Sequence, residues 1–122
     1  MKLLTYRTNN LEADQIGVLQ NQLVYNLNNY FRDISLIELI QIDDYQEKIA
    51  SFISNEDCLK DDINNITVLP TIPNPISFRD AYAFREHVAN ARKNRDTEMI
   101  AEFDQFPIFY FSNHNAMVGD RQ

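Results

Sequence analysis

Apolar residues along this chain follow two rhythms, and the changes between them outline its organisation. Residues 2–7 (K-L-L-T-Y-R) read as a strand, followed by a loop over 8–13 with Asn9-Asn10 as turn chemistry. Residues 15–19 and 22–27 read as two more strands joined tightly at Gln20-Asn21, where Asn tolerates a positive φ. Their apolar side chains (Ile16, Val18, Leu23, Tyr25, Leu27) are too few to hold a sheet alone, so helices should cover it. Asp33 or Ser35 can cap a helix carrying Leu36, Ile37 and Ile40 on one side. A second helix starts at Asp43-Asp44, and its Tyr45, Ile49, Phe52 and Ile53 make an amphipathic stripe that reads as core packing. The strand rhythm returns over 63–69.

Three of the four prolines (Pro70, Pro73, Pro75) follow at once. Each ring fixes its own φ and biases the residue before it toward extended backbone, so residues 70–76 read as a linker between a domain at 1–69 and a second region at 77–122. Past the linker, Ser77 and Asp80 resemble a capping box for a helix running from Phe78 to about Asn94. On that helix Asp80, Phe84, His87 and Ala91 share one edge, beside an apolar arc of Phe78, Ala81, Tyr82, Val88 and Ala89. Arg85 and Arg92 fall within the arc, where buried cations need anionic partners, and interior salt bridges are the ordinary answer. Residues 106–111 (F-P-I-F-Y-F) are apolar on both faces, the pattern of a strand inside a sheet covered on each side. His114 follows in a turn and reads as a surface residue.

Composition narrows the function classes. Hydrophobic residues at 44% and charged ones at 24% place the chain in the globular range. A net charge of −7 argues against a nucleic-acid or anionic-membrane footprint. Nine carboxylates against two lysines between Asp33 and Asp62 read as a solvated face. Cys58 is the only cysteine, which excludes an intrachain disulfide, and its acidic neighbours make it a poor nucleophile. Met1-Lys2-Leu3-Leu4 breaks at Thr5-Tyr6-Arg7, too early for a signal peptide, so a cytoplasmic location is expected.

The run S-F-R-D-A-Y-A-F-R-E-H-V-A-N-A-R, with E-M-I-A-E-F-D-Q-F-P-I-F-Y-F-S-N-H-N-A-M-V-G after it, resembles the fumarylacetoacetate hydrolase family. The opening, with G-V-L and L-V-Y-N-L, resembles the small N-terminal domain of that family's two-domain members. The resemblance implies an α+β fold: a small N-terminal antiparallel sheet with helices, then the opening helix and strand of a β-roll-type catalytic domain. It implies hydrolysis of carbon–carbon bonds in acylpyruvate-type diketo acids, with Mg2+ or Ca2+ chelating the keto-acid oxygens. Asp80 resembles the metal-ligand Asp and His87 the catalytic His, with Glu86 a candidate partner. Tyr82 and Tyr110 resemble substrate contacts, and Arg92 or Arg95 the arginine that meets the substrate carboxylate.

That resemblance conflicts with the helix over 78–94, because on a helix Tyr82 points nearly opposite Asp80. It requires the helix to begin nearer Ala83, with Asp80 in an extended approach. The family's Glu-x-Glu pair and further Asp have no match here, so no tight metal binding and no hydrolysis are expected of this chain alone. A strand holding Phe109 and Phe111 without the rest of its sheet should associate with itself or with a partner chain. The alternative is a non-catalytic interaction or dimerisation module derived from the same family.

Overall fold

The computed structural model describes residues 1–9, 13–55 and 58–120, and the expected loop over 8–13 lies partly outside them. It is a mixed helix and antiparallel-sheet structure with two compact units, one of Met1–Asn74 together with the segment from Ala116 onward, the other Pro75–Asn115. The division falls inside the proline-rich stretch.

The first unit is a five-stranded antiparallel sheet in the order β4-β3-β2-β1-β5, from β1 (Lys2–Thr8), β2 (Gln15–Gln20), β3 (Leu23–Asn26), β4 (Lys60–Asp62) and β5 (Ile66–Val68). The hairpin between β2 and β3 pairs Gln20 with Leu23, so its turn is Asn21-Gln22 rather than Gln20-Asn21. Both turn residues have positive φ, 48° and 68°, which matches the twist of the flanking strands.

β4 and β5 are the two edges of this sheet, yet only the 3-10 turn Ile63–Asn65 separates them. A flat five-stranded sheet would hold its edge strands about 19 Å apart. From Asp62 to Ile66 the chain can span at most about 14 Å. The sheet therefore curls, and its concave face closes on itself. Leu4, Tyr6 and Val24 are buried there, with Leu19, Ile63, Ile66 and Val68 packed around them. Tyr6 is fully buried, and its hydroxyl reaches from β1 to Asp61 of β4, donating to Oδ2 at 2.9 Å. Of the described carboxylates in the acidic block, Asp61 alone is not exposed; the others are solvated.

The opposite face packs against α1 (Leu36–Ile40) and α2 (Tyr45–Ile53), burying Ile16, Val18, Leu27, Phe31, Leu36, Leu39 and Ile49. Ser35 caps α1 with a full capping box: its hydroxyl accepts from the Glu38 N–H, while Glu38 Oε2 accepts from the Ser35 N–H at 2.6 Å. The buried side of α1 is Leu36 and Leu39, and Ile40 is exposed, because five residues turn only Leu36 and Leu39 fully onto the sheet. The α2 stripe sits as its spacing requires, with Ile49 fully buried and Tyr45, Phe52 and Ile53 half-buried beside it. Because both faces are covered, alternation fails in the central strands: Leu4, Thr5 and Tyr6 of β1 and Ile16, Gly17 and Val18 of β2 are buried in succession. In β3 it holds, with Val24 and Asn26 buried and Leu23 exposed. Cys58 is buried, and burial raises its thiol above the ordinary range, consistent with a packing residue.

The second unit holds a two-stranded antiparallel ladder, β6 (Phe78–Ala81) and β7 (Phe109–Ser112), with α3 (Arg85–Lys93) between them in sequence. Helix over 78–84 is therefore incorrect: the ladder with β7 claims Phe78–Ala81, and Ser77 caps nothing there. The helix opens at Arg85 after Phe84, close to where the resemblance required it. Its only buried side chain is Val88. Arg85 and Arg92 are not interior cations, since Arg85 is exposed and Arg92 half-buried. β7 is likewise not sandwiched: Phe109, Tyr110 and Phe111 are 47%, 51% and 68% exposed.

Candidate functional site

Three of the side chains singled out in the sequence, Asp80, Tyr82 and Tyr110, lie on or next to the β6–β7 ladder. Register pairs Phe78 with Ser112, Arg79 with Phe111, Asp80 with Tyr110 and Ala81 with Phe109. Alternation then sorts these side chains onto two faces of opposite character. Asp80 and Tyr110 share one face, and Tyr82, next in the same alternation, lies against Tyr110 with ring centroids 6.5 Å apart, edge to face. Arg79, Phe109 and Phe111 share the other, with the Arg79 guanidinium 5.5 Å from the Phe109 centroid and 5.1 Å from that of Phe111.

Asp80 and Tyr110 make the central contact, although 30 residues separate them. The Tyr110 hydroxyl donates to Asp80 Oδ2. That bond raises the Tyr110 phenol above its ordinary value, because ionising it would remove the donor and set two negative charges face to face. The extended approach puts Asp80 and Tyr82 on one side, which a helix could not do.

Beyond Tyr82 a shallow cleft of about 430 Å3 opens among Ala81, Tyr82, Phe103, Phe106, Ile108 and Phe109; of the polar trio only Tyr82 borders it, not Asp80 or Tyr110. Asp104, in the 3-10 turn Ala101–Asp104, also borders it. Arg85 holds that carboxylate in a two-pronged pair, Nε to Oδ1 at 2.8 Å and Nη2 to Oδ2 at 3.1 Å. The guanidinium lowers the Asp104 pKa, and the carboxylate raises that of Arg85. Sequence reasoning missed Asp104. Its signal is a cation at the start of a helix that demands an anion, with no hint of which one.

The remaining candidates stand apart from this trio. Glu86 and His87 are exposed in the first turn of α3, and neighbouring helical residues diverge by about 100°, so Glu86 does not orient His87 along the helix. Arg92 directs its Nε to the carbonyl of Glu98, and its own carbonyl accepts from Thr97 N–H and Oγ1 at 3.0 Å, which closes the loop after α3. Arg95 is exposed beyond the helix end. His114 is half-buried in the 3-10 turn His114–Ala116.

Among the described residues no three His, Cys, Asp or Glu side chains cluster closely enough to hold a metal ion. Asp80 offers one carboxylate, and one of its oxygens already accepts from Tyr110. Mg2+ and Ca2+ require several oxygen ligands at once, so this donor set does not fit either ion unaided. In the first unit a narrower cavity of about 250 Å3 lies among Thr5, Ile16, Ser35, Leu36, Ile72 and Pro73, with none of the candidate residues on its wall. No described helix is long and apolar enough to cross a membrane. No family model, curated protein or solved structure matches the chain.

Proposed function

We propose that this chain is the N-terminal part of a metal-dependent, fumarylacetoacetate-hydrolase-like enzyme of the cytoplasm, acting on acylpyruvate-type diketo acids, and that it is inactive by itself. The supporting observation is the convergence of Asp80, Tyr82 and Tyr110 on one face of β6–β7, with Tyr82 also bordering a cleft. In this reading β6 and β7 open a β-roll, Tyr82 and Tyr110 contact substrate, and Asp80 is one metal ligand. The remaining carboxylates come from polypeptide other than these residues. Were an ion held by Asp80 together with those outside carboxylates, it would supply Lewis-acid stabilisation of negative charge on the substrate. His87 supplies a base at the helix start, and Arg95, exposed at the far end of α3, is better available for a carboxylate than Arg92.

A second reading, a non-catalytic interaction module, is favoured by the exposed aromatic side chains of β7. Two measurements separate the readings. An open frame past codon 122 in the source DNA, leading to a Glu-x-Glu strand, supports the enzyme; a stop codon refutes it. Turnover of an acylpyruvate by this chain with magnesium alone would refute the inactivity, and with it the requirement for outside ligands.

A further inference from the structure

Among the described residues no strand but β6 pairs with β7, and the outer edge of β7 has a self-complementary pattern that follows from the ladder's hydrogen bonding. Tyr82 N–H donates to the Ile108 carbonyl at 3.0 Å, one step beyond the Ala81–Phe109 pair. Hydrogen-bonded pairs alternate along an antiparallel ladder, so Asp80–Tyr110 and Phe78–Ser112 exchange the bonds between β6 and β7. Phe109 and Phe111 belong to the other class of pair, and their N–H and C=O groups point away from β6. β7 thus offers two donors and two acceptors, two residues apart and symmetric about Tyr110.

We propose that this edge pairs antiparallel with the same edge of a second copy, Tyr110 opposite Tyr110 on the two-fold axis. Phe109 of one copy then exchanges both backbone bonds with Phe111 of the other, twice over, giving four bonds and a four-stranded sheet β6-β7-β7-β6. No register shifted along the strand uses both outward residues. The pairing sets two Phe109 and two Phe111 rings side by side on one face, flanked by the two Arg79 guanidinium groups. It leaves each Asp80–Tyr110 bond intact on the other. A two-stranded ribbon is marginal by itself, and two further strands answer that need. At ~200 Å2 per aromatic side chain, the exposed parts of Phe109, Tyr110 and Phe111 amount to at most roughly 330 Å2 per copy. Doubled, this is on the order of 700 Å2, below the ~1,200 Å2 of a standard interface, so the dimer is a weak, reversible one. The inference rests on the edge geometry and is independent of the enzymatic reading.

Sedimentation velocity over about a hundredfold range into high micromolar concentration should show monomer giving way to dimer. Phe111→Lys, which places a charge on the shared face, should raise the dissociation constant at least about tenfold. The register has its own test. Opposed residues of a non-hydrogen-bonded pair lie ~4.5 Å apart at Cα, within disulfide reach. Tyr110→Cys should therefore oxidise to a covalent dimer in a glutathione buffer. Phe109→Cys should not, since two residues of offset place its Cα atoms more than ~7 Å apart. A wild-type monomer throughout, association unaffected by Phe111→Lys, or cross-linking of the 109 variant as fast as the 110 variant would each overturn the proposal.

Discussion

Gly17 is where the curled sheet can be tested with a single methyl group. It lies in β2 on the concave face, opposite Leu4 and Asn26. A Cβ there would meet Val24 Cγ1 at 2.6 Å, Tyr6 Cε1 at 3.0 Å and the Tyr25 carbonyl at 3.1 Å. None of the three yields easily. Val24 is fully buried and stiff at χ1, Tyr6 is fully buried and tied to Asp61, and the carbonyl is ladder backbone. Two effects then oppose each other in Gly17→Ala. Restricting the unfolded chain stabilises by about 0.4–1 kcal/mol. Overpacking a filled interior costs about 1–3 kcal/mol. The clash should win, leaving a net loss of about 1–2 kcal/mol, read by urea unfolding followed by far-UV circular dichroism with the slope unchanged. Val24→Ala removes the nearest clashing atom, so it should cost less in the Gly17→Ala background than alone, with a coupling of at least about 0.5 kcal/mol. A stabilised Gly17→Ala, or strict additivity, would show that β2 does not face a closed interior.

Other substitutions probe the two faces separately. Ile49→Ala should cost about 2–5 kcal/mol in urea unfolding, since Ile49 is fully buried between α2 and the sheet; a loss under about 1 kcal/mol would dissolve the α2 stripe. Burial first, and then the bond to Asp61, push the Tyr6 phenol far above its ordinary value. Its contribution is complete below about pH 10 and falls as pH rises past that, because the unfolded chain then loses a proton that the folded one keeps. Tyr6→Phe should cost about 1 kcal/mol at neutral pH and flatten the alkaline loss of stability; an unchanged alkaline slope would sink the assignment. Asp80→Asn should bring the Tyr110 titration down toward that of an ordinary tyrosine by NMR, and no movement would mean the bond does not form in solution. Hydrogen exchange should be far slower at Val18 and Leu19 than at Asp80 and Tyr110, and equal protection would refute the contrast in burial between the two units.

Periodicity carried the first unit a long way. The opening strands, the Ser35 cap and the Ile49 stripe are local patterns, and the structure contains them. What it could not carry is pairing across distance. β4 is Lys-Asp-Asp, with no apolar signal, and is a strand only because β3 offers it an edge. Tyr6 and Asp61 look like an ordinary strand residue and an ordinary surface acid until curling sets them together across the interior. The same gap explains the error over 78–84. Helical spacing of Asp80, Phe84 and His87 is real, but the partner that extends Phe78–Ala81 lies at Phe109–Ser112. The demand that Asp80 and Tyr82 face one side was the better guide, because it encoded a geometric requirement and not a local preference.

Burial is distributed unequally, and this bears on how any site here could work. Among the described residues Val88 is the only buried apolar side chain of Pro75–Asn115, against a dozen in the other unit, while Phe78, Tyr82, Phe84, Phe106, Phe109 and Phe111 are all exposed. About forty residues cannot bury enough surface to fix side chains unaided. Catalysis, however, needs groups held to within a fraction of an ångström by their supporting shell. The two faces of β6–β7 offer a division of labour. The face of Arg79, Phe109 and Phe111 is apolar, apart from one stacked cation, and suits being covered. The face of Asp80, Tyr82 and Tyr110 is polar and suits remaining open to a ligand. Added strands beyond β7, from a second copy, would extend the sheet and stiffen both of its faces. The order of the Asp80–Tyr110 pair therefore depends on what pairs with Phe109 and Phe111, although neither phenylalanine points toward it.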